Sequence, residues 1–341
     1  MRRLVSAWKK TQAWLRITRV FYKQWNTLQL QWLCRLLKEN LLEFIKYNPG
    51  NPVCFFLNFS PPGHFYSPLP DIRAIRSAKP QIFKDDAECK EIFLNEGKNL
   101  SLFEEFKEYY GEMPFAPEKK AGLRYYFNNS FFSYGDGVVL YSMLRHFKPR
   151  RVVEIGSGFS SALMLDVSEK FLNGTVEFTF IEPYPERLKE IAGQSPAKCK
   201  LIQDFVQSVD MSVFRALEKG DILFIDSSHV GKIGSDVLHI LFNILPEIKE
   251  GVIIHIHDIF WPFEYPEKWI ENGRAWNEVY LLRAFLACNR DYEILFFNSY
   301  FENRHADKIQ RHMPLMSRRS ADPYNFPNSS VWLRKLSPSL L

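Results

Sequence analysis

The sequence has no paired cysteines. Cys34, Cys54, Cys89, Cys199 and Cys288 are scattered, with no CxxC spacing. That argues against a zinc cluster and a disulfide framework, and it fits a reducing compartment. No apolar run is long enough to span a bilayer. The N-terminus lacks the apolar stretch of a secretory signal, because Lys9, Lys10, Arg16 and Arg19 interrupt it, so a cytoplasmic protein is expected. Internal repeats and low-complexity tracts are also missing. The main body has no strong charge. Residues 1–50 carry ten Lys/Arg against Glu39 and Glu43, a surplus of +8 in a chain whose total is +5, which leaves the other 291 residues at −3. A near-neutral body offers no electrostatic case for nucleic acid as a substrate.

Apolar material is plentiful. Hydrophobic residues make up 46% of the chain and aromatics 16%, with 30 Phe, enough for a sizeable core and contrary to disorder. Three segments are expected. The first, 1–50, is a basic helical arm: Trp14, Ile17, Phe21, Trp25, Leu28, Trp32 and Leu36 fall on one helical face, with Arg16, Arg19, Lys23 and Arg35 off it. Such a face packs on the body or a second copy of the chain, or lies on an anionic membrane surface at the cytoplasmic side. The second, 51–135, is a cap with a Pro- and aromatic-rich loop and a helix near 99–110. The third, 136–341, is the catalytic domain.

In that third segment short apolar runs alternate with helical stretches. The runs are RVVEI (151–155), EFTFIE (177–182), 199–203, DILFID (221–226), GVIIHIHD (251–258), YEILFF (292–297) and SSVWLRK (329–335). The helical stretches lie at 160–171, 185–193, 233–245 and 275–288. This predicts an α/β fold: a Rossmann-like, doubly wound, mostly parallel seven-stranded sheet covered on both faces. No strong helix is expected between the last two runs, so they pair antiparallel at one edge.

Ligands of such a sheet bind beyond the carboxyl ends of the strands, where the strand order reverses. VVEIGSGFSS (152–161) reads as strand, glycine turn and helix start, with Ser160 or Ser161 as a helix cap. A P-loop is excluded, because no Gly-Lys-Ser/Thr follows. A dinucleotide site wants a glycine where Ser161 stands, and Glu154 is a poor neighbour for a pyrophosphate. S-adenosylmethionine suits the residues better: it carries no phosphate, and Glu182, 26 residues after Gly156, ends the second strand where a carboxylate accepts both ribose hydroxyls.

VVEIGSGFSS, FIEPYPERL, DILFIDSSHV and GVIIHIHDI, in this order and at these separations, resemble the class I S-adenosylmethionine-dependent methyltransferases. They are most similar to the bacterial branch that includes cephalosporin hydroxylase-like and catechol-type small-molecule O-methyltransferases. The resemblance covers roughly 130–341 and departs from the usual first motif at Ser160, where a third glycine is customary. It implies that Glu154, Gly156, Ser157 and Gly158 line the methionine part of the cofactor, Glu182 the ribose, and Gln207 the adenine.

Asp226 ends the fourth strand and His257–Asp258 the fifth, and these side chains are expected to converge at the reactive methyl, with His229 in reach. His229 and His257 are candidate bases for a hydroxyl; His255, deeper on the strand, reads as a core residue. Asp226, His257 and Asp258 are also a candidate ligand set for Mg²⁺ or a similar divalent ion. Tyr134 and Asp136 are placed to close the cofactor site, FWPFEYPEKW (260–269) to wall an acceptor pocket or stack on a sugar, and Arg318 and Arg319 to meet an anionic group. The expected function is methyl transfer to a hydroxyl of a small molecule or saccharide. The alternatives are an NAD-dependent oxidoreductase and a non-catalytic cofactor-binding partner subunit.

Overall fold

The computed structural model describes residues 63–84, 88–192, 199–320, 326 and 328–337. The amphipathic stripe of the basic arm lies outside these residues. The chain divides into two units, Met1–Ser77 and Ala78–Leu341. The described part of the first is a loop closed by the Gly63 N–H donating to the Leu69 carbonyl (3.2 Å), followed by a helix, Ile72–Ser77. Asp71 Oδ1 starts that helix by accepting the Arg73 N–H at 2.8 Å, a satisfied first-turn donor.

The second unit is built on seven strands: β1 (Arg151–Ile155), β2 (Glu177–Ile181), β3 (Cys199–Ile202), β4 (Ile222–Ile225), β5 (Ile253–Ile256), β6 (Tyr292–Phe297) and β7 (Val331–Lys335). Their order is β3-β2-β1-β4-β5-β7-β6. The first five are mutually parallel, and β7 runs antiparallel to both β5 and β6. Every residue of β4 and β5 is buried, as expected of central strands covered on both faces.

The main helices are α1 (Glu96–Tyr110), α2 (Tyr134–Phe147), α3 (Phe159–Phe171), α4 (Glu186–Ala192), α5 (Glu278–Cys288) and α6 (Asn298–His312). Phe103 and Phe106 of α1, Tyr125, and Val139 of α2 share one core with Phe178, Phe224 and Trp332 of the sheet.

Two expectations are corrected. A helix of 15 residues, α6, does lie between β6 and β7. Its sequence hides it: past Phe301 only Ile309 is buried, and non-helical backbone at His305 (φ −131°, ψ 32°) breaks the 3.6-residue period. The stretch 233–245 is not one regular helix. It is a single α turn, Asp236–His239, followed by a π turn, Ile240–Ile244, and a 3₁₀ turn, Leu245–Glu247, in which Pro246 removes a backbone donor.

Candidate active site

The strand order reverses between β1 and β4, and the turn after β1 lies at that point. Gly156 has φ 77°, and a Cβ there would stand 2.0 Å from the Asp226 carbonyl oxygen. Only glycine fits, because both the backbone conformation and the close approach forbid a side chain. Gly158 is different: a Cβ would meet only Arg187 Cδ, at 3.6 Å. Glu154 lies beneath the turn, fully buried. Its two oxygens accept the hydroxyls of Ser160 (2.5 Å) and Ser161. Burial pushes its carboxyl up to about 8 against those bonds. The serine hydroxyls therefore serve Glu154 as donors, although Ser161 Oγ also accepts the Gly158 N–H at 3.0 Å.

A groove of about 320 Å³ opens over the strand ends, and its lining includes Gly156, Glu182, Phe205, Gln207, Asp226 and Ser228. Glu182 spans two loops: Oε2 accepts the Ser157 N–H at 3.0 Å and Oε1 the Tyr184 N–H at 2.9 Å. Each oxygen keeps acceptor capacity for a further donor. Gln207 donates through Nε2 to the Gly234 carbonyl at 2.8 Å. That bond fixes which way the amide points and leaves Oε1 a buried acceptor with no partner. The groove thus brings together four of the expected cofactor residues, Gly156, Glu182, Gln207 and Asp226, whereas Glu154, Ser157 and Gly158 do not line it.

Beside Asp226 the expected catalytic side chains do converge. His229 Nε2 lies 3.4 Å from Asp226 Oδ1 and 3.6 Å from Asp258 Oδ2, and His257 Nε2 lies 3.6 Å from Asp258 Oδ1. His229 and Asp258 both hold left-handed backbone, φ 59° and 55°, a cost that packed surroundings sustain at functional sites. Burial works against a charge on His229, but hydrogen bonds to Asp226 and Glu278 and the nearby Asp258 carboxylate outweigh it, so its pKa stands well above the ordinary histidine value. Burial likewise opposes ionisation of Asp226, and His257 and His229 overcome it, so Asp226 stays below the usual carboxylate range. The His229 ring nitrogen thus lies between two carboxylates. Burial holds His255 well below the ordinary value; it is neutral and stacked on Phe224 at 3.8 Å.

The hydrogen bonds around Ser330 assign a donor role to His257 Nδ1. Ser330 Oγ lies 2.9 Å from His255 Nε2 and 3.2 Å from His257 Nδ1, and Ser330 also hydrogen-bonds the Asp136 carboxylate. Asp136 can only accept, so Ser330 donates to it and accepts from both rings. His257 then donates through Nδ1 and faces Asp258 with Nε2; burial lowers its pKa, but the carboxylates of Asp258, Asp226 and Asp136 outweigh that and hold it above the ordinary histidine value. Asp136 itself is buried and takes Asn298 Nδ2 at 2.7 Å and Ser329 Oγ at 2.8 Å. Tyr134 is a core residue, stacked on Phe127 at 4.9 Å with its hydroxyl donating to Asn128 Oδ1.

Among the described residues no three His, Cys, Asp or Glu side chains are set to hold a divalent ion.

A profile of the family described as a methyltransferase domain matches residues 153–259, the span from β1 past the end of β5. The chain therefore carries a methyltransferase domain. An uncharacterized protein of Archaeoglobus fulgidus is 39% identical over 166 residues, 48% of this chain and 75% of that protein. Among solved structures, a cmcI structure with Mg-SAM is 18% identical, covering 67% of this chain and 84% of that one with a TM-score of 0.35. Human N-acetylserotonin methyltransferase in complex with SAM is 14% identical, covering 59% and 52% with a TM-score of 0.34.

Two residues of this cluster are not legible in the sequence. Glu278 reads as an ordinary acid in the first turn of a helix, and Ser330 as part of a strand. No spacing ties either to His229 or His257, because 49 and 73 residues separate the pairs. Among the described residues no helix is long and apolar enough to cross a membrane.

Proposed function

We propose that the protein transfers a methyl group to a hydroxyl of a small molecule. The observation that carries this reading is the convergence of Gly156, Glu182, Gln207 and Asp226, from the ends of four different strands, on one groove beside the His229–Asp258 cluster. Gly156, Ser157 and Gly158 flank the methionine part of the cofactor, and Glu154 holds their turn from beneath. Glu182 accepts the ribose hydroxyls. The unpartnered Gln207 Oε1 accepts the adenine amino group, the kind of donor it lacks in the free protein. Asp226 offers its carboxylate to the sulfonium charge. Bound there, S-adenosylmethionine supplies an electrophilic methyl group.

What remains for the protein is to orient a hydroxyl and take its proton. His257 Nε2 is the base, since its other nitrogen is committed to Ser330. Asp258 orients the acceptor hydroxyl, and His229, clamped by Glu278, holds Asp258 and Asp226 in place.

Calorimetric titration with S-adenosylhomocysteine and with NAD⁺ tests it. Saturable binding of the first, weakened about tenfold in Gln207→Leu by loss of one hydrogen bond to the ligand, is the expected result. Binding of NAD⁺ alone would overturn it in favour of a dehydrogenase.

A further inference from the structure

A second pocket, of about 260 Å³, shares no lining residue with the cofactor groove, and its walls include Phe260, Trp261, Tyr265, Glu302, Arg319 and Asn328. It adjoins the reaction centre through the chain itself. Phe260 follows Asp258 by two residues and Asn328 precedes Ser330 by two, a backbone reach of at most ~7 Å. The two segments are joined by the Ile259 N–H donating to the Ser329 carbonyl at 2.7 Å.

Asn328 is 2% exposed. Its Nδ2 donates to Glu302 Oε2 at 2.9 Å and to the Met316 carbonyl at 2.8 Å. Both partners can only accept, so the amide cannot be turned round, and Oδ1 is left a buried acceptor with no partner. A buried acceptor in that state is costly unless a ligand brings a donor. The other carboxylate oxygen of Glu302 takes Arg319 Nη2 at 2.9 Å. The charges of these two residues answer each other, and the remaining charged residues of the lining, Lys84 and Glu264, are one of each sign, so the pocket asks for no net charge in its ligand. Trp261 packs edge-on against Tyr300 at 5.0 Å, which holds its ring in the wall.

A ligand matched to these walls is neutral, carries hydroxyl donors and has an apolar C–H face to lie on an aromatic ring. We propose that this pocket binds the methyl acceptor as a neutral sugar unit, with one hydroxyl donating to Asn328 Oδ1 and others meeting Glu302 and Arg319. The assignment rests on the methyl-transfer reading of the adjoining centre for its role, but the binding itself can be measured separately.

The test uses the full chain saturated with S-adenosylhomocysteine, with affinities read by saturation-transfer NMR. The probes are the methyl α-glycosides of glucose, mannose and galactose, and cyclohexylmethanol serves as an apolar ring with one hydroxyl. Saturable binding of at least one glycoside is expected, with cyclohexylmethanol bound far more weakly. Asn328→Leu and Arg319→Ala are each expected to weaken the glycoside about tenfold, the loss of one hydrogen bond, with the affinity for S-adenosylhomocysteine unchanged. Arg319 is exposed, so its variant carries the test should Asn328→Leu fail to fold. The proposal is overturned by any of three results: no glycoside binds although S-adenosylhomocysteine does, cyclohexylmethanol binds as well as the sugars, or the variants leave glycoside affinity unchanged. Glycoside binding through Asn328 without any binding of S-adenosylhomocysteine would sink the methyl-transfer reading and leave the sugar site standing.

Discussion

Glu278 Oε2 lies 2.8 Å from His229 Nδ1, and the Glu278 N–H also donates to the His229 carbonyl at 3.2 Å. One residue of α5 thus holds both the ring and the backbone of a histidine in left-handed conformation. Glu278 Oε2 also accepts the Ser227 hydroxyl at 2.9 Å, so one carboxylate oxygen serves two residues of the loop after β4. Glu278→Gln keeps the shape but removes the charge opposite the His229 ring. The turnover number should fall roughly ten- to hundredfold, in the range by which outer partners tune a site, while the affinity for S-adenosylhomocysteine stays within about twofold. Stopped assays of methyl transfer alongside calorimetry separate the two; equal losses in both would assign Glu278 to the cofactor groove instead.

The two glycines of the turn should respond differently to alanine. Gly156→Ala forces a Cβ against the Asp226 carbonyl in a backbone region that disfavours side chains, and a loss of at least about 2 kcal/mol of folding stability is expected. Gly158→Ala meets only the flexible end of Arg187. Its denaturation midpoint should stay near that of the wild type while binding of S-adenosylhomocysteine is lost, because the methyl group occupies the cofactor's approach. Urea melts and calorimetry on both variants check this; a Gly158→Ala protein that binds normally would move the methionine part of the cofactor away from that position.

Glu154 makes stability depend on pH in a predictable direction. Folded, its carboxyl is pushed up to about 8 by burial; unfolded, it titrates at its ordinary 4.5. The folded chain keeps a proton that the unfolded chain has released between these values. Its contribution to stability is therefore fully present below 4.5, declines as pH rises toward 8, and is lost above it. The swing is at most on the order of 5 kcal/mol. Glu154→Gln is neutral throughout and should flatten that slope, seen in urea melts at the acid and alkaline ends of the window. Parallel slopes for the two proteins would mean that Glu154 is ionised in the fold.

Dialysis against a chelator is expected to leave the methyl-transfer rate within about twofold of the untreated enzyme, since losing a Lewis acid from the reaction would cost far more than that. A collapse in rate that Mg²⁺ restores would place a divalent ion in the reaction.

Much of this architecture is local in origin and was legible before any coordinates. The seven strands fall on the seven runs; in β4 and β5 burial on both faces leaves a near-continuous apolar stretch in the sequence, whereas edge strand β3 has no buried residue. The glycine turn and the acid ending β2 were readable for the same reason, since turn chemistry depends on a few adjacent residues. What folding alone decided joins residues far apart in the chain. The last strand enters the sheet between β5 and β6, pairing Val331 with Ile256, and this brings Ser330 to His257 and Asn328 to the pocket beside Phe260. Helix α5 delivers Glu278 to His229, and Asp136 is buried against Ser329. No periodicity encodes such meetings, because hydrogen bonds between distant segments depend on where the packed sheet and helices set each backbone, which is a property of the whole core.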